Sequence, residues 1–400
     1  MLCIFCQREE LDESTKPEHI LLDGLGGRMT TKLADCSTCN GRFGSTIDNE
    51  LMKQVVRIRN MLRMESGSGK AAPARRGIDA GSDKINILGD GRMELVAKPF
   101  TVHRNLDGSY AIQIKTRSFE EAERLVPNIA AAVGIPEAEL RRHLAESRGR
   151  MVEARPGIIH SEEAFGGPDA IRSMVKSTMC LWASELGNSE VHGEVYDAAR
   201  RFIMTGEADF NITRTYLDAR VLPCSDQLKE SYGPLFNLIY VCSDASGRVI
   251  AHFTLYNCLS WQFILAGSGG SPNRKVALVS DPLNPKRWRS RGVAEAYDVP
   301  ISWLDSPNFE NGLEQSRVRL EAVLALYFER SREAEITRIV EDSFAEFGVV
   351  PGESLSPDQF EAFSRKVSQR SAALFLDLPY EEELTSEQMR GIFLRGADRY

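Results

Sequence analysis

The 400-residue chain has no apolar run near the ~20 residues that a bilayer span needs. A membrane-embedded protein is therefore not expected. Its first residues, Met1-Leu2-Cys3-Ile4-Phe5-Cys6, pass straight into charged ones, without the basic start and apolar core of a secretory signal. The reading is a cytoplasmic chain. Positive charge is in deficit: 49 Lys and Arg face 57 Asp and Glu, a net −8. Taken whole, that weighs against a nucleic-acid protein. Histidine is scarce, with six residues. Of these His103, His143, His160, His192 and His252 have no metal-like spacing to another His or Cys, and read as structural or surface groups. No repeat of solenoid type recurs. Ser66-Gly67-Ser68-Gly69-Lys70 lacks the glycine spacing and the hydroxyl residue of a P-loop.

The positive charge that is present is segregated. Residues 51–76 hold Lys53, Arg57, Arg59, Arg63, Lys70, Arg75 and Arg76 against Glu65 alone. Lys53, Arg57, Arg59 and Arg63 are read as contacts to DNA phosphates. A second stretch carries Arg274, Lys275, Lys286, Arg287, Arg289 and Arg291, with Trp288 among them. Two readings stay open for it: a strip that tracks a backbone and stacks a base, or a solvated loop.

Hydrophobic spacing sets the expected organisation. Phe43, Ile47, Leu51, Val55, Ile58 and Leu62 recur at three- and four-residue steps and predict one helix face from about Ser37. Residues 66–82, rich in Gly, Ser, Ala, Pro and Arg, read as a linker. Asp90-Gly91 between two alternating runs signals a hairpin. Residues 118–150, with Pro136 at a helix start, and residues 168–187 and 190–205 read as helical. Residues 235–243, 248–256 and 259–265 predict a three-stranded meander, with 276–280 as a further strand. From 312 onward the pattern is helical, over 312–331, 333–347, 356–376 and 386–396. The expected fold class is multidomain α+β. A module over 1–65 and a linker over 66–83 come first. An α+β domain with an antiparallel sheet over 84–310 and a helical region over 311–400 follow.

The eight cysteines form two populations. Cys180, Cys224, Cys242 and Cys258 are scattered among apolar residues and read as small buried hydrophobes. Cys3, Cys6, Cys36 and Cys39 form two Cys-x-x-Cys pairs. Each pair can turn both thiolates onto one ion, and four thiolates suit a closed, tetrahedral, structural zinc. A segment of about 60 residues buries little core. Zinc binding, worth about 10–16 kcal/mol in small zinc peptides, would supply the missing stability. Disulfides are disfavoured in a cytoplasmic chain, and four free thiols are the remaining alternative.

Between and after these pairs stand Glu18-His19-Ile20, Leu25-Gly26-Gly27, Cys39-Asn40, Phe43-Gly44 and Asp48. In that order and spacing they resemble the zinc-knuckle variety of the HNH endonuclease family, over about residues 1–60. The resemblance implies a ββα-metal finger: the histidine ends one strand, a glycine loop leads to the second, and the Asn opens the helix. It implies His19 as general base, with Glu18 and Asn40 at the positions that bind a catalytic divalent ion, Mg²⁺ or Mn²⁺. The residue types suit the chemistry. An imidazole titrates near neutral pH, and oxygen donors hold a hard cation that clamps phosphate and leaving group. Asp48 either tunes the metal site or pairs with a neighbouring base.

Two positions depart from the family pattern. Where a middle Asn is usual the chain has Thr30-Thr31-Lys32-Leu33, so the hydrogen bond that steadies the histidine loop must come from Thr31 or elsewhere. Leu22 stands where a proline is common. The expected function is a metal-dependent endonuclease hydrolysing DNA phosphodiesters, in a setting such as restriction or antiphage defence. The remainder would give target recognition, regulation or homo-oligomerisation. The alternative is a zinc-knuckle nucleic-acid-binding protein that has lost catalysis.

Overall fold

Phe43, Ile47, Leu51, Val55 and Leu62 are all buried, as their spacing predicts, but they sit on two helices rather than one. The break is at Thr46, whose backbone leaves the helical region (φ −119°, ψ −96°). Ser45 and Thr46 turn their hydroxyls back onto the carbonyls of Gly41 and Arg42 at 3.0 and 2.7 Å. Such back-bonding competes with the helix ladder. In the computed structural model the described residues are 1–81, 83–116, 118–153, 159, 162–291, 297, 299–305, 310–347 and 354–394.

The chain opens with β1 (Glu18–His19), β2 (Thr30–Thr31), α1 (Ser37–Ser45) and α2 (Ile47–Met61). Strands β3 (Arg75–Ala80), β4 (Asp83–Ile87) and β5 (Met93–Leu95) form a three-stranded sheet, and β6 (Phe100–Arg104) pairs with β7 (Tyr110–Ile114). Helices α3 (Phe119–Arg124), α4 (Val126–Val133) and α5 (Glu137–Glu146) follow, then β8 (Gly149–Glu153). Next come α6 (Pro168–Leu186), α7 (Asn188–Val191), α8 (Asp197–Thr205), α9 (Ala208–Arg214), β9 (Thr215–Leu217) and α10 (Ser225–Tyr232). The meander is β10 (Asn237–Ser243), β11 (Val249–Leu255) and β12 (Leu259–Ala266), with β13 (Lys275–Ser280) and β14 (Trp288–Arg291) beyond. The chain ends with α11 (Ile301–Leu304), α12 (Glu310–Glu346), α13 (Pro357–Leu376), β15 (Tyr380–Leu384) and α14 (Ser386–Leu394). The two helices expected over 312–347 are thus one. No helix among the described residues is long and apolar enough to cross a membrane.

Two compact units divide these elements: 1–75, 87–93 and 162–331 in the first, and 76–86, 94–161 and 332–400 in the second. The expected boundaries do not coincide with them. Ser66–Gly69 is no free linker, because Gly67 N bonds Asp23 O and Ser68 N bonds Asp23 Oδ1, both at 2.7 Å. Gly67 is needed there: a Cβ would stand 1.9 Å from the Gly27 carbonyl oxygen.

In the first unit the antiparallel sheet runs β14-β13-β10-β11-β12-β9. Every residue of β10 and β11 is buried, which explains their unbroken apolar character. Ile239, Val241, Ala251 and Phe253 face α6, while Leu238, Tyr240, Cys242 and Ile250 face Leu228 and Tyr232 of α10. Helix α6 is buried on nearly every side and shares one core with Phe5, Phe43, Ile47 and Leu51. The N-terminal finger is therefore built onto the sheet layer. Cys180, Cys224, Cys242 and Cys258 are all buried. In the second unit Val126, Ile129, Leu140, Met389 and Phe393 form a separate core, and β8 pairs with β15.

Candidate active site

The four paired cysteines converge. Cys3 N closes onto Glu9 O and Gln7 N onto Cys3 O, at 2.9 and 3.0 Å, folding the first knuckle. Cys36 caps α1, its sulfur accepting from Cys39 N at 3.5 Å. The four sulfurs lie within 4.8 Å of one another, with Cys6 and Cys36 3.9 Å apart. Zinc–sulfur bonds of about 2.3 Å in a tetrahedron place sulfurs about 3.8 Å apart. The cluster fits a closed zinc site, and Phe5 wedges edge-on against Phe43 beside it, 5.1 Å between centroids.

Strands β1 and β2 pair Glu18 with Thr31 and His19 with Thr30. Successive strand residues point to opposite faces. Glu18 therefore goes inward, 7% exposed, and His19 outward, with 39% of its side chain exposed. Its Nε2 lies 4.0 Å from Asp23 Oδ1. Asp23 is held in turn by Ser68, from the backbone N–H at 2.7 Å and the hydroxyl at 3.0 Å. Thr31 does not steady the histidine loop; its hydroxyl accepts from Leu33 N at 3.0 Å. That service comes from Asn237 at the start of β10, whose amide donates to Leu25 O at 2.9 Å.

Glu18 and Asp48 meet a partner that the sequence reading did not name. Lys176, fully buried on α6, places Nζ 2.5 Å from Glu18 Oε1 and 2.6 Å from Asp48 Oδ2. Ser173, one turn earlier, donates to Asp48 Oδ1 at 2.6 Å. The ammonium lies over the Phe43 ring, 5.6 Å from its centroid. Burial works against that charge, but Asp48 and Glu18 outweigh it and hold Lys176 protonated above the ordinary lysine range. Asp35 lies in the same field, 1% exposed, and neither carboxylate oxygen has a hydrogen-bond partner among the described residues. Its burial first, and then the charge of Glu18, push it up to about 8 although Lys176 pulls the other way.

The expected oxygen set for a divalent ion is thus not gathered around one. Glu18 and Asp48 are taken by an ammonium. Asn40 stands half-buried on α1. Glu18, Asn40 and Asp48 do not fit a common divalent ion in this structure. A lysine as the one charged residue of Ser173–Ala183 was the available signal, because buried charge demands a partner.

The expected phosphate contacts need correction too. Arg57 is buried and pairs with Glu163 at 3.1 Å, and Arg59 is buried beneath Gly24. Burial keeps both from a phosphate. Lys53 is exposed but pairs with Glu50 at 2.5 Å, and Arg63 is half-buried. In the second basic stretch Lys286, Arg287, Trp288 and Arg289 are exposed, on edge strand β14 and the turn before it, and Arg287 pairs with Asp281 at 3.4 Å. That turn touches the histidine loop: a Cβ on Gly26 would meet Pro282 Cα at 3.4 Å.

The cysteine cluster and the short ββα frame make a finger that could hold zinc. Residues 3–56 match the HNH endonuclease family. The match suggests a nuclease, and so a nucleic acid as substrate. No curated protein and no solved structure matches the chain.

Proposed function

We propose that the chain is an endonuclease that hydrolyses DNA phosphodiesters, with His19 as its general base. The observation that carries this reading is the placement of His19. It is the outward residue of β1, accessible to water, in a segment that matches a nuclease family. His19 takes a proton from water, the oxygen bonds to phosphorus, and the bond to the leaving sugar oxygen breaks as that oxygen takes a proton from solvent. Asp23 is a positioning residue for the imidazole, in the manner of a third group orienting a base. Asn40 offers its amide to a phosphate oxygen. The strip Lys286–Arg289, joined to the histidine loop through the Asp281–Pro285 turn, extends the contact to the DNA backbone.

A role in restriction or antiphage defence belongs to the same proposal; dependence on Mg²⁺ or Mn²⁺ rests on the family likeness and not on Glu18, Asn40 and Asp48. Supercoiled plasmid incubated with the protein and either ion should be nicked or linearised, and His19→Ala should abolish this. Cleavage that survives His19→Ala rejects His19 as the base. The second reading, a zinc-knuckle DNA-binding protein without catalysis, is favoured by one observation: Glu18 is engaged by Lys176. It predicts salt-sensitive DNA binding with no cleavage under any metal.

A further inference from the structure

We propose that Lys176 is the resident cation of the Glu18 site. Glu18 and Asp48 clasp its ammonium where a divalent ion was expected, and they anchor the finger to α6 instead of ligating the metal. This rests on the nuclease reading only in naming Glu18 as the expected ligand.

Three observations carry it. The two carboxylate oxygens stand 2.5 and 2.6 Å from Nζ. Both contacts are hydrogen-bond distances, so the ammonium fills the space between the two oxygens that an ion bound by both would need. Lys176 has no exit to water: it is 0% exposed, under Phe43, on a helix whose residues from Ser173 to Ala183 are all buried. A divalent ion entering there would strand a buried ammonium, which is costly unless the group is paired. Lastly, Asp48 is satisfied on both oxygens, by Lys176 on one and by Ser173 on the other. Ser173 and Lys176 are i and i+3 neighbours on one helix face. The acceptor set on the finger and the donor set on α6 match each other.

The test is a Mn²⁺ titration of the full-length, zinc-loaded protein, read by calorimetry and by the spin-resonance signal of free Mn²⁺. Mn²⁺ prefers oxygen donors and leaves a thiolate zinc site alone. Glu18→Gln should keep the wild-type Mn²⁺ stoichiometry, with a Kd within about twofold. Lys176→Ala, which leaves two facing carboxylates, should gain a Mn²⁺ site that wild type lacks, and adding Glu18→Gln should remove it. A loss of about tenfold or more in Mn²⁺ affinity for Glu18→Gln overturns the assignment, as does a folded Lys176→Ala that gains no site. Should Lys176→Ala fail to fold, the Glu18→Gln isotherm decides alone. Plasmid cleavage is a separate readout. A protein that gives the expected isotherms but never cuts loses the nuclease reading and keeps Lys176 as the cation. One that cuts, yet binds Mn²⁺ through Glu18, does the reverse.

Discussion

Asn237, at the first residue of the central strand, donates its side-chain amide to the carbonyl of Leu25 in the loop after His19, at 2.9 Å. Its oxygen accepts from Tyr256 N at 2.8 Å, so one buried amide joins the finger loop to two strands of the sheet. Asn237→Ala leaves a buried acceptor and a buried donor unpaired, at about 1–3 kcal/mol each. Denaturant unfolding should show a loss of about 2–6 kcal/mol. Plasmid cleavage should fall while Asn237→Asp, which can still accept from Tyr256, falls less in stability.

Zinc is expected to hold the finger. A strong chelator at elevated temperature, or Cys36→Ser, should release the ion bound by the four thiolates and lower the melting temperature, checked by metal analysis and calorimetry. Because Phe5 and Phe43 share a core with α6, near-ultraviolet signals from Trp182 should weaken as well. A chelated protein with unchanged melting would mean that the thiolates are not a structural site.

Asp218 gives the pH prediction. Burial alone would raise its pKa. The Arg220 fork, at 2.8 and 2.7 Å, and then His252 at 3.7 Å reverse this and hold the carboxyl below its ordinary range. A depressed folded-state pKa means stability that is present above about pH 4, the unfolded value, and lost as pH falls below it. Asp218→Asn leaves Arg220 unpaired and should cost about 3–5 kcal/mol at pH 7. Its stability should then fall less steeply than wild type between about pH 5 and pH 3.

The two basic stretches should separate cleanly. Arg57→Gln removes the buried partner of Glu163 and should lower the melting temperature. Its effect on the salt dependence of DNA binding should be small. Lys286→Ala should leave melting nearly unchanged and flatten the slope of log K against log salt by about 1. Gel-shift or anisotropy titrations at several salt concentrations measure this. An unchanged slope would remove the turn before β14 from the DNA path.

What was legible in the sequence was local. The two knuckles, the strand–loop–strand–helix order and the meander each depend on residues within a few tens of positions. Gly247 and the β-branched runs signal the meander directly. Contacts between distant segments were not legible. Glu153 and Tyr380 pair across the β8–β15 ladder with no local sign of it. Strand β9 reaches β12 only through three residues, Thr215–Leu217. The candidate site followed the same rule. His19 and the cysteines were found from neighbours in sequence. The partners of Glu18, Leu25 and Arg57 come from Lys176, Asn237 and Glu163, over 100 positions away. Basic composition misled at Arg57 and Arg59 because charge in sequence says nothing of burial.

Lys176 follows Asp48 by 128 residues. A ribosome adding about 5–20 residues per second needs about 6–25 seconds to cover that distance. Throughout that time the finger is complete in sequence but its two inward carboxylates face water, with α6 not yet made. Zinc on the four thiolates would be what keeps the nascent finger in shape until its counter-charge arrives. The timing of metal loading, besides the strength of the finished core, would then bear on how this part of the chain matures.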